Sequence, residues 1–234
     1  MRPQTFTQLT PHIFRLEQPF RVPVGVWLVK SGDGWLVIDA GAPSFEGALF
    51  EQILKQTGGA RPNLLILTHG HLDHAAAAER MHDEWRVPIA AGRLEIPYLT
   101  GPQRYNKIPA DSFLYRLIQL SPPPMIGRNA RYPLDEGMRL DGLEVFHAPG
   151  HAPGMVALLH HADRALICGD VFSSRGGKVG DPLAPFTYDM KLNRQSQAKL
   201  AALDFDHLFP SHGQPVMNNG GAQARELIAK RTKK

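Results

Sequence analysis

Short apolar runs bounded by glycine, proline and aspartate alternate along this chain with longer stretches of helical spacing. Ile13-Phe14-Arg15-Leu16 and Val24-Gly25-Val26-Trp27-Leu28-Val29 predict two strands, and Ser31-Gly32-Asp33-Gly34 predicts a tight turn into a third, Trp35-Leu36-Val37-Ile38-Asp39. Together they make an antiparallel meander ending in a carboxylate beside the small residues Ala40 and Gly41. Ser44 is placed to cap a helix over 45–56, with Leu49, Ile53 and Leu54 as its apolar face and Gly58-Gly59 as its stop. The continuous apolar run Leu64-Leu65-Ile66-Leu67 predicts a buried strand of the parallel type over 63–67. The alanine-rich stretch at 75–81 predicts a helix, 87–90 a short strand, and 94–99 the start of another helix.

Gly101-Pro102, Pro109 and Pro122-Pro123-Pro124 then break the pattern around one helical segment at 110–120, which predicts an inserted helical cap at about 94–132. A second meander follows at 138–140, 143–147, 155–160 and 165–169. A loop rich in glycine and proline leads to a helix at 189–203, a short strand at 205–209 and a closing helix at 223–230. Two strand-rich halves with helices between them predict an α/β protein whose two sheets pack face to face.

The 234 residues, 43% hydrophobic and 21% charged, suffice for one sizeable core, so residues 1–234 are expected to form a single domain. One cysteine, Cys168, excludes a disulfide framework and any cysteine-based zinc cluster, and within its apolar run it reads as a small core residue. Alternation along its strand would put Cys168 on the same side as Asp170, two positions on. The first ten residues lack the basic and apolar regions of a secretory signal, and no apolar run approaches the about 18 residues of a membrane span. The expectation is a cytoplasmic protein with no membrane partner. A net charge of +4 rests partly on Lys230-Arg231-Thr232-Lys233-Lys234, read as a solvated tail, so a nucleic-acid partner is not expected.

The chemistry concentrates in Thr68-His69-Gly70-His71-Leu72-Asp73-His74, directly after the strand at 63–67. Neutral imidazole and ionised carboxylate are ligands for Zn²⁺ and similar ions, and a strand-to-helix turn can aim alternate side chains at one point. Three further candidates stand at strand ends beside small residues: His151 in Pro149-Gly150-His151, Asp170 after 165–169, and His212 in Ser211-His212-Gly213. His147 reads as packed, His160 and His161 as part of a solvated turn beside Asp163, and His12, His82 and His207 have no partner pattern.

Through these motifs the chain resembles the metallo-β-lactamase fold superfamily, from about residue 13 to residue 213. The resemblance implies a four-layer αββα sandwich, two mixed β-sheets face to face with helices outside and the metals at one edge. It further implies that His69, His71 and His151 hold one ion, that Asp73, His74 and His212 hold the second, and that Asp170 bridges them. Asp39 corresponds to a supporting aspartate that orients ligands by hydrogen bonding. Two divalent ions about 3.5 to 4 Å apart share a water, lower its pKa and polarise the oxygen under attack. Asp73 and Asp170 are the candidate catalytic residues, Asp73 as proton carrier. The neutral His71 stands where di-iron oxygen-reducing members carry glutamate, which favours zinc and hydrolysis, with iron or manganese as the alternatives.

For the substrate, the apolar and aromatic residues of 94–132 suggest a greasy pocket, with Tyr98, Tyr105, Phe113, Tyr115 and the later Tyr188 as candidates; a homodimer contact is the competing use of that segment. The expected reaction is attack by a metal-bridging hydroxide on the carbonyl of a lactone, ester or thioester with a hydrophobic acyl part. A phosphodiesterase, a β-lactamase and an iron-dependent persulfide dioxygenase are the alternatives. The chain departs from the lactonase pattern in carrying Ser173 three residues after Asp170, where that pattern has tyrosine.

Overall fold

In a computed structural model, residues 5–101 and 129–232 are described. The first sheet runs in the order β1 (Thr7–Gln8), β2 (Ile13–Gln18), β3 (Val24–Ser31), β4 (Gly34–Ile38), β5 (Leu64–Leu67), β6 (Ile89–Gly92) and β7 (Ala130–Leu134). It starts as the expected antiparallel meander and becomes parallel from β4 onward. Parallel neighbours need crossovers. Helix α1 (Glu46–Thr57) connects β4 to β5, while α2 (Leu72–Ala75) and α3 (Ala78–Trp85) connect β5 to β6; a short α4 (Ile96–Leu99) follows β6.

The second sheet repeats the plan with β8 (Arg139–Leu140), β9 (Leu143–His147), β10 (Val156–His160) and β11 (Ala165–Gly169) as an antiparallel meander, and β14 (His207–Pro210) lies parallel beside β11. A separate hairpin, β12 (Ser173–Arg175) and β13 (Lys178–Gly180), comes before the crossover helix α5 (Met190–Ala201), and α6 (Gly220–Thr232) closes the described chain.

Period-two alternation sorts the apolar side chains into layers. Trp27 and Val29 of β3, Leu36 and Ile38 of β4 and Ile66 of β5 face Val145, Val156, Leu158, Ile167 and Phe209 of the other sheet, forming the central core. Their neighbours Val26, Leu28, Val37, Leu65 and Leu67 turn outward against α1 and α3. In the second sheet Ala157, Leu159, Leu166 and Leu208 turn outward against α5 and α6. The result is the expected αββα sandwich. Trp27, fully buried, stacks on Phe209 with ring centroids 5.3 Å apart, a contact between sheets that adds about 0.5–1.5 kcal/mol beyond its area burial.

Several local expectations are corrected. Ser44 does not cap α1; it sits at φ 71, Phe45 occupies the cap position, and no side chain supplies the cap hydrogen bond. Gly58 does end that helix in the left-handed conformation. β7 is a strand at a position where none is expected, because Arg131 and Pro133 interrupt its apolar pattern. The helix expected at 110–120 lies outside the described residues. The C-terminal basic run is partly engaged: Arg231 pairs with Asp181 and donates to Gln197 Oε1 at 2.7 Å.

His160 is not in a solvated turn but buried, and it belongs with His12 to a knot around Asp163. The Asp163 carboxylate accepts from the Thr10 hydroxyl, from His12 N at 3.0 Å and from His12 Nδ1 at 2.6 Å. His160 Nδ1 accepts from Asp163 N at 3.1 Å, so its lone pair is already used. These internal bonds close the cluster, which ties the start of β2 to the β10–β11 turn and so staples the two sheets together. His82 and His207 also have partners, the carbonyl of Val87 and the backbone N–H of Asn218.

Candidate metal centre

The seven predicted ligands meet at one edge of the sandwich, although they come from four separate segments. His69, His71, Asp73 and His74 follow β5, with His71 at the start of α2; His151 lies in the β9–β10 connection, Asp170 follows β11, and His212 follows β14. Each is therefore carried past the end of a buried strand, where the backbone leaves the ladder and the side chain is free to turn inward. Ligand atoms lie within 4.8 Å of one another in each of the sets His69–His71–His151, His69–His74–Asp170 and Asp73–His74–His212.

Individual pairs within and between these sets are closer still. His151 Nε2 is 3.0 Å from His71 Nδ1 and 3.3 Å from Asp170 Oδ2. His212 Nε2 is 3.3 Å from Asp170 Oδ2 and 3.4 Å from Asp73 Oδ2. Asp170 thus lies against both halves of the cluster.

Hydrogen bonds behind the rings fix which nitrogen faces the centre. His69 Nδ1 meets the Thr68 hydroxyl at 3.0 Å, and that hydroxyl donates to the Asp39 carboxylate at 2.9 Å. Asp39 also receives His74 Nδ1 at 3.0 Å and Thr68 N at 2.8 Å. His151 Nδ1 meets Thr187 Oγ1 at 3.2 Å, and His212 Nδ1 the carbonyl of Pro23 at 2.9 Å. In all four the protonated Nδ1 is held from behind and Nε2 is left for the centre; His71 is reversed and presents Nδ1. Asp39 supports the cluster as expected, from a fully buried position at φ 63.

Among the described residues, His69 Nε2, His74 Nε2 and Asp170 Oδ1 are buried without a hydrogen-bond partner. Three orphaned polar atoms facing one point would cost about 1–3 kcal/mol each, so the site fits divalent cations that would take them as ligands. The electrostatics agree. Burial depresses His69, His71 and His151, to about 4 for His71 and about 3 for His151, keeping the three rings neutral and able to ligate. Burial also opposes charge on His74 and His212, yet Asp170 and Asp73 prevail and raise them to about 9 and about 11. Burial disfavours charge on Asp73 and Asp170 as well, but the surrounding histidines hold both carboxyls well below the usual carboxylate range.

The remaining candidates divide. Tyr188 is half-buried, follows Thr187 and donates its backbone N–H to His151 O at 3.1 Å. Tyr98 is half-buried on α4, and burial, then Tyr188 and Glu95, push its phenol up. Tyr105, Phe113 and Tyr115 lie outside the described residues. Ser173 is committed to the carbonyl of Asp181 at 2.6 Å. His147 is packed, its Nε2 meeting the Leu134 carbonyl at 3.1 Å. Cys168 is buried against the outer helices and its thiol is pushed up by burial. It does not share a side with Asp170, because the β11–β14 register shifts and Gly169 takes φ 51, which breaks the alternation.

Two partners of the centre escape sequence reading. Thr187 carries no motif. Glu95 is fully buried and accepts from Gly70 N and Gly154 N, each at 2.8 Å.

The sequence model described as Metallo-beta-lactamase superfamily matches residues 20–212. A probable metallo-hydrolase of Bacillus subtilis (strain 168), YybB, is 28% identical over 219 residues, 91% of this chain and 92% of that protein. Another from the same organism, YflN, is 31% identical over 82% of this chain and 80% of its own length. A crystal structure titled TTHA1623 in a di-iron-bound form is 28% identical, with a TM-score of 0.64 over 92% of this chain and 98% of that one. Over shorter spans the chain is similar to the hydroxyacylglutathione hydrolase GloC of Haemophilus influenzae, 30% identical over 48% of this chain and 51% of that protein, and to the acyl-coenzyme A thioesterase MBLAC2 of Gallus gallus, 27% identical over 62% and 56%.

Proposed function

This chain belongs to the metallo-beta-lactamase superfamily, and from that premise we propose that it hydrolyses a lactone, ester or thioester with a hydrophobic acyl part, using two divalent ions, zinc in the first instance. The observation that carries the reading is the convergence of five imidazoles and two carboxylates on one point, with three buried atoms left unpartnered there. His69, His71 and His151 would hold one ion, Asp73, His74 and His212 the other, with Asp170 shared between them. When bound, such a pair supplies an activated water and polarises the carbonyl it attacks.

The chain's own groups define the rest. Asp170 is almost fully buried and fixed between His151 and His212, so it positions. Asp73, on the more open side with 23% of its side chain exposed, is placed to take a proton from the nucleophile and return it to the leaving group. Fixed Nδ1 contacts keep the imidazoles from turning as charge moves.

The acyl preference is supported by exposed aliphatic side chains on the loops that build the centre. Leu72 lies inside the histidine motif, Val22 precedes the Pro23 carbonyl that holds His212, and Leu183 precedes the turn carrying Thr187. Leu94, 60% exposed, adjoins Glu95, and Tyr188 donates its backbone N–H to His151 O at 3.1 Å. Apolar side chains exposed on the ligand-bearing loops suit a substrate with a greasy acyl group and one reactive carbonyl. Two relatives named for acylglutathione and acyl-coenzyme A hydrolysis support the same class.

The test replaces Asp170 with Ala and assays lactones, thioesters, esters, phosphodiesters and β-lactams with metal content measured in parallel. Loss of ester-type turnover together with loss of bound metal is expected; unchanged turnover of the best substrate would sink the shared-ligand arrangement, and a phosphodiester or β-lactam as best substrate would replace the acyl assignment.

A further inference from the structure

The loops that deliver His69, His71 and His151 belong to different sheets. The first leaves β5, the second joins β9 to β10, and no strand ladder connects them. Near their bases one backbone bond, from Val156 N to Thr68 O at 3.0 Å, joins the two. Nearer the ligands the connection is a side chain. Glu95 Oε1 receives the N–H of Gly70, the residue between His69 and His71, and Glu95 Oε2 receives the N–H of Gly154, three residues after His151.

We infer that Glu95 is a positioning residue, setting the two loops at the separation that a three-histidine ion site requires. The inference rests on the metal reading proposed above. A carboxylate with no solvent exposure persists only where donors compensate its charge, and these two backbone N–H groups supply charge-assisted bonds. The surrounding backbone is shaped to seat it. A Cβ on Gly154 would stand 2.0 Å from Glu95 N, and one on Gly92 would stand 2.1 Å from Gly154 O. Only glycine allows the chain segments to approach so closely, which gives both residues a reason tied to Glu95. The turn that presents Glu95 is itself fixed, its N–H donating to Gly92 O at 2.7 Å.

Each carboxylate oxygen accepts one of the two loop N–H groups. In Glu95→Gln the size is kept, but one loop N–H must face an amide NH₂, so one loop is released. The test loads metal-free protein with Co²⁺ and follows the hyperfine-shifted imidazole N–H resonances of each position by NMR. In E95Q the His69, His71 and His151 signals are expected to need about 10- to 100-fold more Co²⁺, while those of His74 and His212 stay within about threefold of wild type. Equal loading of both proteins overturns the role of Glu95, and so does an equal loss at both positions, which would mark a merely structural residue.

Wild-type protein that takes up no Co²⁺ overturns the metal reading itself, and the inference with it. Should E95Q fail to fold, hydrogen exchange of the Gly70 and Gly154 amides in metal-free wild type decides. Slow exchange at both is expected of a clamp formed before the metal arrives, and fast exchange at either contradicts it.

Discussion

Replacing Asp39 with Asn isolates one carboxylate that organises two ligands. Asn tolerates the left-handed backbone at φ 63 as Asp does, so the β4 end should keep its path. The amide matches the carboxylate in size but presents NH₂ to one partner, and either His74 Nδ1 or the Thr68 donors then face a donor. A hydrogen bond to a charged group contributes about 1.5–3 kcal/mol. Partners behind metal-bound histidines typically change affinity by about 10- to 100-fold, which corresponds to about 1.4–2.7 kcal/mol, so the two magnitudes agree. The larger loss should fall on the position built from Asp73, His74 and His212, because Asp39 touches His74 directly and reaches His69 only through Thr68. Competition against a chromophoric chelator, run on metal-free wild type and D39N, measures it. Affinities within about threefold of wild type at both positions would refute the reasoning.

Metal loading should release protons unequally. Without metal, His74 at about 9 and His212 at about 11 carry protons at pH 7, whereas His71 at about 4 and His151 at about 3 do not. A weakly buffered indicator assay should therefore detect about two protons per chain, and affinity of the second position should rise about 100-fold from pH 7 to pH 8 while the three-histidine position stays flat. One affinity slope for both positions contradicts this. The same raised values stabilise the metal-free fold fully below about pH 6.5, a contribution lost as pH rises through about 9 and 11, while the depressed His71 and His151 destabilise it as pH falls below about 6.5; urea titrations of metal-free protein across pH report both signs. Asp163→Ala removes the acceptor for Thr10 and His12 at the far end of β10 and β11, and should cost about 1–3 kcal/mol in urea unfolding with turnover per folded molecule unchanged. A large drop in turnover at full folding would mean that the knot reaches the centre.

What the chain reveals before folding follows from where the chemistry is stored. The ligands were legible because His69, His71, Asp73 and His74 crowd one motif after an apolar strand and His151, Asp170 and His212 each stand beside small residues at a strand end, signatures that survive in one dimension. Two sheets face to face were legible from the two strand-rich halves with helices between them, whereas the αββα layering came from the family resemblance: the runs at 26–29 and 64–67 are apolar at every position, and only the structure sorts Trp27 from Val26 and Ile66 from Leu65. Glu95 and Thr187 were hidden because their partners are a backbone N–H or a lone imidazole nitrogen far along the chain, and neither leaves a side-chain pattern. The Asp163 knot was hidden for the same reason, since His12 and Asp163 are separated by 151 positions. Cys168 misled because alternation holds only while the ladder is regular, and Gly169 ends that regularity.

The central claim is that the clustered residues hold two ions on which hydrolysis depends. Metal analysis of the purified protein, followed by chelation and graded return of Zn²⁺ with turnover of an acyl ester recorded at each step, tests it most directly. About two ions per chain, with turnover vanishing on chelation and returning as the ions are restored, is the predicted result. Turnover that persists without metal, or a single iron per chain with no hydrolysis, would contradict it.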